Sequence, residues 1–177
     1  MLDAAVAAGG ACPPVVVIFG VAGAGKTTVG RALAAALGRA FHDADDYHPP
    51  ANVDAMRRGV PLTDADRAPW LAALCALLAR RLAEGAPVVL ACSALRAAYR
   101  RALVPDDVAE GAVAFVYLDV SPETAARRVA ARAGHFMPAA LVASQFAALE
   151  VPADAVRVDA ALPVADAVAR VRRALGC

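Results

Sequence analysis

The chain has almost no lysine. Of its 18 basic lysine and arginine residues, all but Lys26 are arginine. It has little net charge either: +1 at pH 7, with a pI near 7.7. That excludes the large basic surface a nucleic-acid binder needs. Aromatic residues make up 5% of the chain and apolar residues 60%, with a mean hydropathy of +0.53. Yet no apolar run approaches the ~20 residues of a membrane span. The apolar stretch from Trp70 to Leu82, for example, is cut by Arg80 and Arg81. The first residues, MLDAAVAAGGACPP, have no basic segment and carry Asp3, which is wrong for a secretory signal. Residues 1–14 are expected to be a flexible lead-in to a single domain over 15–177. The four cysteines, Cys12, Cys75, Cys92 and Cys177, show no CxxC spacing. They are expected to be free thiols in a reducing cytoplasm, not metal ligands.

What is present alternates. VVVIFG (15–20) is an apolar, β-branched run bounded by Pro14 and Gly20, which predicts a fully buried strand. Helical spacing follows over 27–37, ending at Gly38. Further strands are predicted at 40–43, 87–92, 112–118 and about 155–158. Helices are predicted near 51–58, over 70–82, from Ser121-Pro122-Glu123 to about Ala133, near 138–149, and along the stripe Val164, Val168, Val171, Leu175. Strands alternating with helices predict an α/β fold with a parallel sheet covered on both faces.

Residues 20–27 fit G-x-x-x-x-G-K-[ST], between a buried strand and an amphipathic helix. Gly20, Val21, Ala22, Gly23, Ala24, Gly25, Lys26, Thr27 and the adjoining Thr28 therefore form the candidate nucleotide-binding loop. Glycines let successive N–H groups turn inward around an anion, and the helix N-terminus adds partial positive charge. Lys26 can reach the β- and γ-phosphates, and Thr27 can ligate Mg²⁺. This implies a nucleoside triphosphate as a bound ligand. For a second Mg²⁺ contact the sequence offers Asp43 at the end of the second strand and Asp119 at the end of the fourth. Asp43, paired with Asp45, stands ahead, since Asp119 lies beside a helix start that it can serve instead.

The segment 43–70, DADDYHPPANVDAMRRGVPLTDADRAPW, holds six aspartates, three arginines and His48 directly after the second strand. In small P-loop kinases that position carries the phosphoryl acceptor. Here the chain resembles the gluconokinase family, related to shikimate kinase and the nucleoside monophosphate kinases. The matching stretches are G-V-A-G-A-G-K-T (20–27), D-A-D-D-Y-H-P (43–49), N-V-D-A-M (52–56), G-V-P-L-T-D-A-D-R-A-P-W-L (59–71), C-S-A-L-R-A-A-Y-R (92–100), G-H-F-M-P (134–138) and S-Q-F-A-A-L-E (144–150).

The resemblance implies ATP-dependent phosphorylation of D-gluconate at its 6-hydroxyl. It also implies a five-stranded parallel sheet in the order 2-3-1-4-5, an acceptor-binding segment over 43–70, and a lid over about 128–140. It implies that Asp45 orients or deprotonates the acceptor hydroxyl and that Asp43 meets the magnesium shell. His48, Arg67, Ser93, Arg96, Arg100 and His135 are the candidate gluconate binders, because a polyhydroxy anion needs cations and hydrogen bonders. Each has a plainer reading. Arg100 can be a solvated charge, His48 a turn residue before Pro49-Pro50, and Arg67 a structural ion pair. Trp70 is expected in the core. Arg128 and Arg132, four apart on one helix face, are the candidate lid cations for the transferring phosphoryl group, with Arg127 in solvent.

The chain departs from the family at Ala55 and Arg96, where lysine is common. Arg96 keeps the charge without the geometry. Two alternatives remain: a same-fold kinase for another small hydroxy acid such as shikimate, and an inactive ATP-binding regulator. A homodimer is compatible with either; no nucleic acid or membrane partner is expected.

Overall fold

The computed structural model describes residues 11–131 and 139–177. Five parallel strands form one sheet: β1 (Val15–Phe19), β2 (Ala40–Asp43), β3 (Val88–Cys92), β4 (Val113–Asp119) and β5 (Val156–Asp159). Their order is β2-β3-β1-β4-β5, as expected. The register pairs Phe19 with Cys92 and with Tyr117, so the C-terminal ends of the three central strands lie side by side. That edge of an open α/β sheet is where ligands bind.

Seven helices are described: α1 (Lys26–Leu37), α2 (Pro50–Arg57), α3 (Asp64–Ala83), α4 (Ala97–Leu103), α5 (Pro122–Ala130), α6 (Ala139–Ala148) and α7 (Val164–Leu175). They cover both faces. Val16 and Ile18 of β1 point into one core with Leu33 of α1, Val129 of α5 and Val171 of α7. Val15, Val17 and Phe19 point into the other, with Trp70, Leu74 and Leu78 of α3 and Leu103 of α4. Both faces of β1 are wholly buried, which is why its sequence is a continuous apolar run and not an alternation.

Two elements differ from expectation. Helix α3 begins six residues before Trp70, because Thr63 and Asp66 form a reciprocal capping box. Pro69 lies inside that helix and forfeits one early backbone bond without ending it. Helix α4 was not predicted; it is seven residues long and carries no apolar stripe of its own.

The cysteine expectation fails for two residues. Cys12 and Cys177 form a disulfide across 165 residues, while Cys75 and Cys92 are free. Residues 12–14, assigned to the lead-in by sequence, are tied to the domain. The Pro13 carbonyl accepts from Arg39 at 2.6 Å, and the Pro14 carbonyl accepts from the Val88 amide at 2.8 Å. Backbone pairing at the entrance to β1 and β3 thus brings Cys12 to the C-terminus of α7. Among the described residues no helix is long and apolar enough to cross a membrane.

Candidate active site

The loop after β1 is held open by its own bonds. The Gly20 amide donates to the Ser93 carbonyl at 3.3 Å, which ties the loop to the end of β3. The Ala24 amide donates to the Val21 carbonyl at 3.3 Å, and Lys26 Nζ donates to the same carbonyl at 3.0 Å. Gly23 has φ +81°, and a Cβ there would stand 2.5 Å from the Ala125 carbonyl oxygen, so only glycine fits between the loop and α5. Gly25 precedes α1 in the left-handed region, and no side chain caps that helix. The first-turn N–H groups are thereby directed at the loop's concavity, as an anion requires.

Thr27 and Asp43 meet. The Thr27 hydroxyl donates to Asp43 Oδ2 at 2.8 Å, and Asp43 Oδ1 accepts from the Asp45 amide at 3.2 Å. A hydroxyl and one carboxylate beside a phosphate cradle suit Mg²⁺, which takes one or two protein oxygens and fills its octahedron with phosphate and water. No cluster of three or more acidic, His or Cys ligands occurs among the described residues, so no all-protein metal cage competes with this reading. Asp119 is committed elsewhere: Arg157 binds its Oδ2 at 2.7 Å and the Tyr117 hydroxyl donates to Oδ1 at 3.3 Å.

Asp45 follows in the 3-10 turn Ala44–Tyr47. Its side chain is exposed to solvent, yet protein atoms surround it closely enough to desolvate the carboxyl in part. Desolvation raises its carboxyl above the ordinary range, and the neighbouring Asp43 carboxylate raises it further. Lys26 and His48 act in the opposite direction. His48 lies flat on Trp70, with centroids 4.3 Å apart and planes 10° from parallel. Trp70 is core, as expected, but one face of its ring is also the bed for His48. Its Nε1 donates to the Ala44 carbonyl at 2.7 Å. Burial lowers the pKa of His48.

The arginines divide. Arg67 and Arg96 converge on Asp64 and Tyr99. Arg96 Nη1 lies 3.3 Å from Asp64 Oδ2, Arg67 Nη1 lies 3.8 Å from Asp64 Oδ1, and the Tyr99 hydroxyl donates to Asp64. Both guanidinium groups approach the Tyr99 ring, at 5.5 and 5.8 Å from its centroid. Arg100 turns inward. It is 6% exposed, stands over Phe19, and donates to the Ala94 and Leu95 carbonyls at 2.8 and 3.0 Å. It is neither a solvated charge nor part of the Arg67–Arg96 cluster; it secures the turn after β3. That turn holds Ala94 at φ +38°, the one non-glycine residue with positive φ among those described. Ser93, half-buried, immediately precedes it.

Arg128 spans two backbone oxygens, the Gly23 carbonyl at 3.3 Å and the Ala160 carbonyl at 2.8 Å. It therefore braces the phosphate loop against the turn after β5. Arg127 is exposed, as expected. Arg132 and His135, with most of the expected lid, lie outside the described residues.

Sequence reasoning assigned no role to several residues that build this site. Asp64 and Tyr99 organise the two arginines. Asn52 is buried and donates to the Asp66 carbonyl at 2.8 Å, with His48 Nδ1 3.4 Å away. Gln145 accepts a bond from the Ala22 amide at 2.7 Å. Their signal was membership of the quoted stretches 52–56, 59–71, 92–100 and 144–150, without a chemistry to attach.

Residues 15–170 match the AAA domain family. The chain is 50% identical over 142 residues to the gluconokinase of Gluconobacter oxydans (strain 621H), covering 80% of this chain and 78% of that protein. It is 40% identical over 165 residues to the thermosensitive gluconokinase of Escherichia coli (strain K12), covering 90% and 86%. Among solved structures, a gluconokinase from Sinorhizobium meliloti 1021 superposes with a TM-score of 0.81 at 43% identity, covering 93% of each chain.

Proposed function

The chain belongs to the gluconokinase family, and from that premise we propose how its own residues carry out ATP-dependent phosphorylation of D-gluconate. The observation that carries the reading is the Thr27–Asp43 contact, because it joins the phosphate loop to the segment bearing Asp45 and His48. Donor and acceptor machinery thereby share one cleft at the C-terminal edge of the sheet.

On this reading the loop amides and the N-terminus of α1 receive the triphosphate. Lys26 leaves the Val21 carbonyl for the β- and γ-phosphates. Thr27 and Asp43 would hold Mg²⁺, which supplies charge neutralisation across those phosphates. Asp45 accepts the hydrogen bond of the acceptor hydroxyl and then its proton. Burial and the neighbouring Asp43 raise its pKa, and a raised pKa makes its carboxylate a better base. Arg67 and Arg96 take the gluconate carboxylate, with His48 and Ser93 on its hydroxyls. With the carboxylate anchored at the arginine cluster, the far end of the chain, the 6-hydroxyl, is presented to Asp45. Arg128 holds the loop in shape. Arg132 and His135 are proposed to complete the phosphoryl and acceptor contacts from the lid. A homodimer is compatible with this reading. The cytoplasm, where ATP is available, is the proposed location.

A coupled ADP-release assay over a panel of sugar acids, shikimate and nucleoside monophosphates tests this. The highest kcat/KM is expected with gluconate and the product is expected to be the 6-phosphate. A higher value with shikimate or a nucleotide would overturn it.

A further inference from the structure

One peptide unit of the phosphate loop, Val21–Ala22, is fixed at both ends. Its carbonyl accepts from the Ala24 amide and from Lys26 Nζ, at 3.3 and 3.0 Å. Its N–H donates to Gln145 Oε1 on α6, across 123 residues of sequence, at 2.7 Å. An amide donor demands an acceptor, so it is the oxygen of Gln145 that faces the loop. Five residues further on, Glu150 grips the other side of the cleft. Its carboxylate accepts from the Ala97 amide at 2.6 Å, and its own amide donates to the Leu95 carbonyl at 2.8 Å. Helix α4 has no side-chain cap within its own sequence, so Glu150 supplies one, with the charge that a helix N-terminus favours. Leu95 is also the residue whose carbonyl Arg100 holds, and Arg96 and Tyr99 follow directly on α4.

We propose that Gln145 is a positioning residue for the phosphate loop, and that with Glu150 it makes α6 a brace between that loop and the arginine-bearing start of α4. Gln145 sets the plane of the Val21–Ala22 peptide, and that plane aims the carbonyl on which Lys26 rests. The Ala22 N–H is consumed by this bond, so the loop keeps its shape before nucleotide arrives and spends its remaining amides on phosphate. Such preorganisation lowers the ordering cost of binding. The Glu150 half rests on the acceptor reading above; the Gln145 half does not.

The test uses the full chain with ADP as probe, without acceptor. In Gln145→Ala, amide exchange at Ala22 should accelerate, and ADP affinity should fall about 3–10-fold, the scale of one neutral hydrogen bond. Gln145→Glu keeps an acceptor oxygen, so Ala22 should stay protected, while the added charge beside the phosphates still weakens ADP binding. Glu150→Ala should raise the gluconate KM and leave ADP affinity unchanged. Unaltered Ala22 exchange or unaltered ADP affinity in Gln145→Ala would overturn the proposal. If the wild-type chain failed to phosphorylate gluconate while the ADP and exchange results held, the acceptor reading would fall and the loop role of Gln145 would stand.

Discussion

Thr27 donates its hydroxyl to Asp43 Oδ2 at 2.8 Å across 16 residues of sequence. The bond joins the first turn of α1 to the end of β2 and leaves two oxygens side by side at the mouth of the phosphate loop. Asp43→Asn keeps the size of the side chain but removes its charge. The Mg²⁺ concentration for half-maximal activity should rise about 10–100-fold at fixed ATP, the range seen when a metal's supporting groups are lost. A Mg²⁺ titration of both proteins decides it. An unchanged midpoint would leave Asp43 only its role as N-cap of the 3-10 turn.

Asp45 is held at a cost to the fold. Its carboxyl titrates above the ordinary aspartate range in the folded chain, through burial first and Asp43 second. The stability linked to its proton is therefore complete below the unfolded-state pKa and is lost as pH rises through the folded-state value. Once ionised, the side chain opposes folding. Asp45→Asn should accordingly raise Tm at pH 7, keep ADP binding, and lower kcat by about 10²–10⁴-fold. The acid limb of wild-type kcat/KM should lie above about pH 4, where an unperturbed aspartate would place it. A Tm that falls, or a kcat close to wild type, would remove Asp45 from the proposed role.

These two carboxylates were legible because their neighbours are local. A loop motif, a short strand and an Asp-Ala-Asp pair lie within a few dozen residues, and each step constrains the next. The strands were legible for a similar reason: Val15–Phe19 and Val88–Cys92 are buried on both faces, so their composition alone marks them. What failed depends on distant partners. Helix α3 is predicted only from Trp70, where its apolar stripe begins, whereas the capping box of Thr63 and Asp66 that starts it lies in a polar stretch and is made useful by the packing of Trp70 and Leu74. Helix α4 is fixed by Glu150, 53 residues away. Arg100 reads from sequence as a gluconate binder or a solvated charge; its place over Phe19, donating to two backbone carbonyls, depends on partners the local sequence does not name. The Cys12–Cys177 pair shows no local spacing at all.

Arg96 and Arg100 sit four apart on one short segment and should fail differently. Arg96 is exposed and shares Asp64 with Arg67. Arg96→Ala should raise the gluconate KM about 10-fold, the scale of a lost charge-assisted bond, with Tm little changed. Arg100→Ala strips two carbonyls of their donor in a buried turn. It should cost about 1–3 kcal/mol of stability in urea unfolding. Steady-state kinetics and denaturation of both variants separate the two roles. A stable Arg100→Ala with only a raised KM would return Arg100 to the acceptor site.

Reduction should open the Cys12–Cys177 link without disturbing the cleft, because the link ties the chain ends at the opposite edge of the sheet from the phosphate loop. A cross-link over so long a span contributes about 2–5 kcal/mol. Tm should fall on adding a phosphine reductant while kcat and both KM values hold at 25 °C. Cys92 should then be the thiol that resists alkylation, since full burial pushes it up to about 12. Partly exposed Cys75 and the two released thiols, Cys12 and Cys177, should react before it. A reduced protein with unchanged Tm would show that the link carries no stability.

The lone lysine supplies the sharpest test. Lys26 Nζ rests 3.0 Å from the Val21 carbonyl, inside a loop in which Val21, Gly23 and Ala24 are all buried. An ammonium is a compact point charge on a thin stem, whereas a guanidinium is a broad planar fork. The room is set by backbone: Gly23 already touches α5 so closely that a methyl group would collide with Ala125. A fork at position 26 would have to push the Val21–Ala22 peptide, which is pinned on its other side by Gln145. Lys26→Arg is therefore expected to lose nearly as much turnover as Lys26→Ala, although charge is kept and arginine serves everywhere else in the chain. The wild type offers a second readout, because its only amines are Lys26 and the N-terminus. Acylation should inactivate it, and Mg·ATP should shield Lys26 while the N-terminus still reacts. Peptide mapping of the labelled protein reads both sites at once. A fully active Lys26→Arg, or Lys26 labelling indifferent to ATP, would mean that the space around Val21 does not select the ammonium.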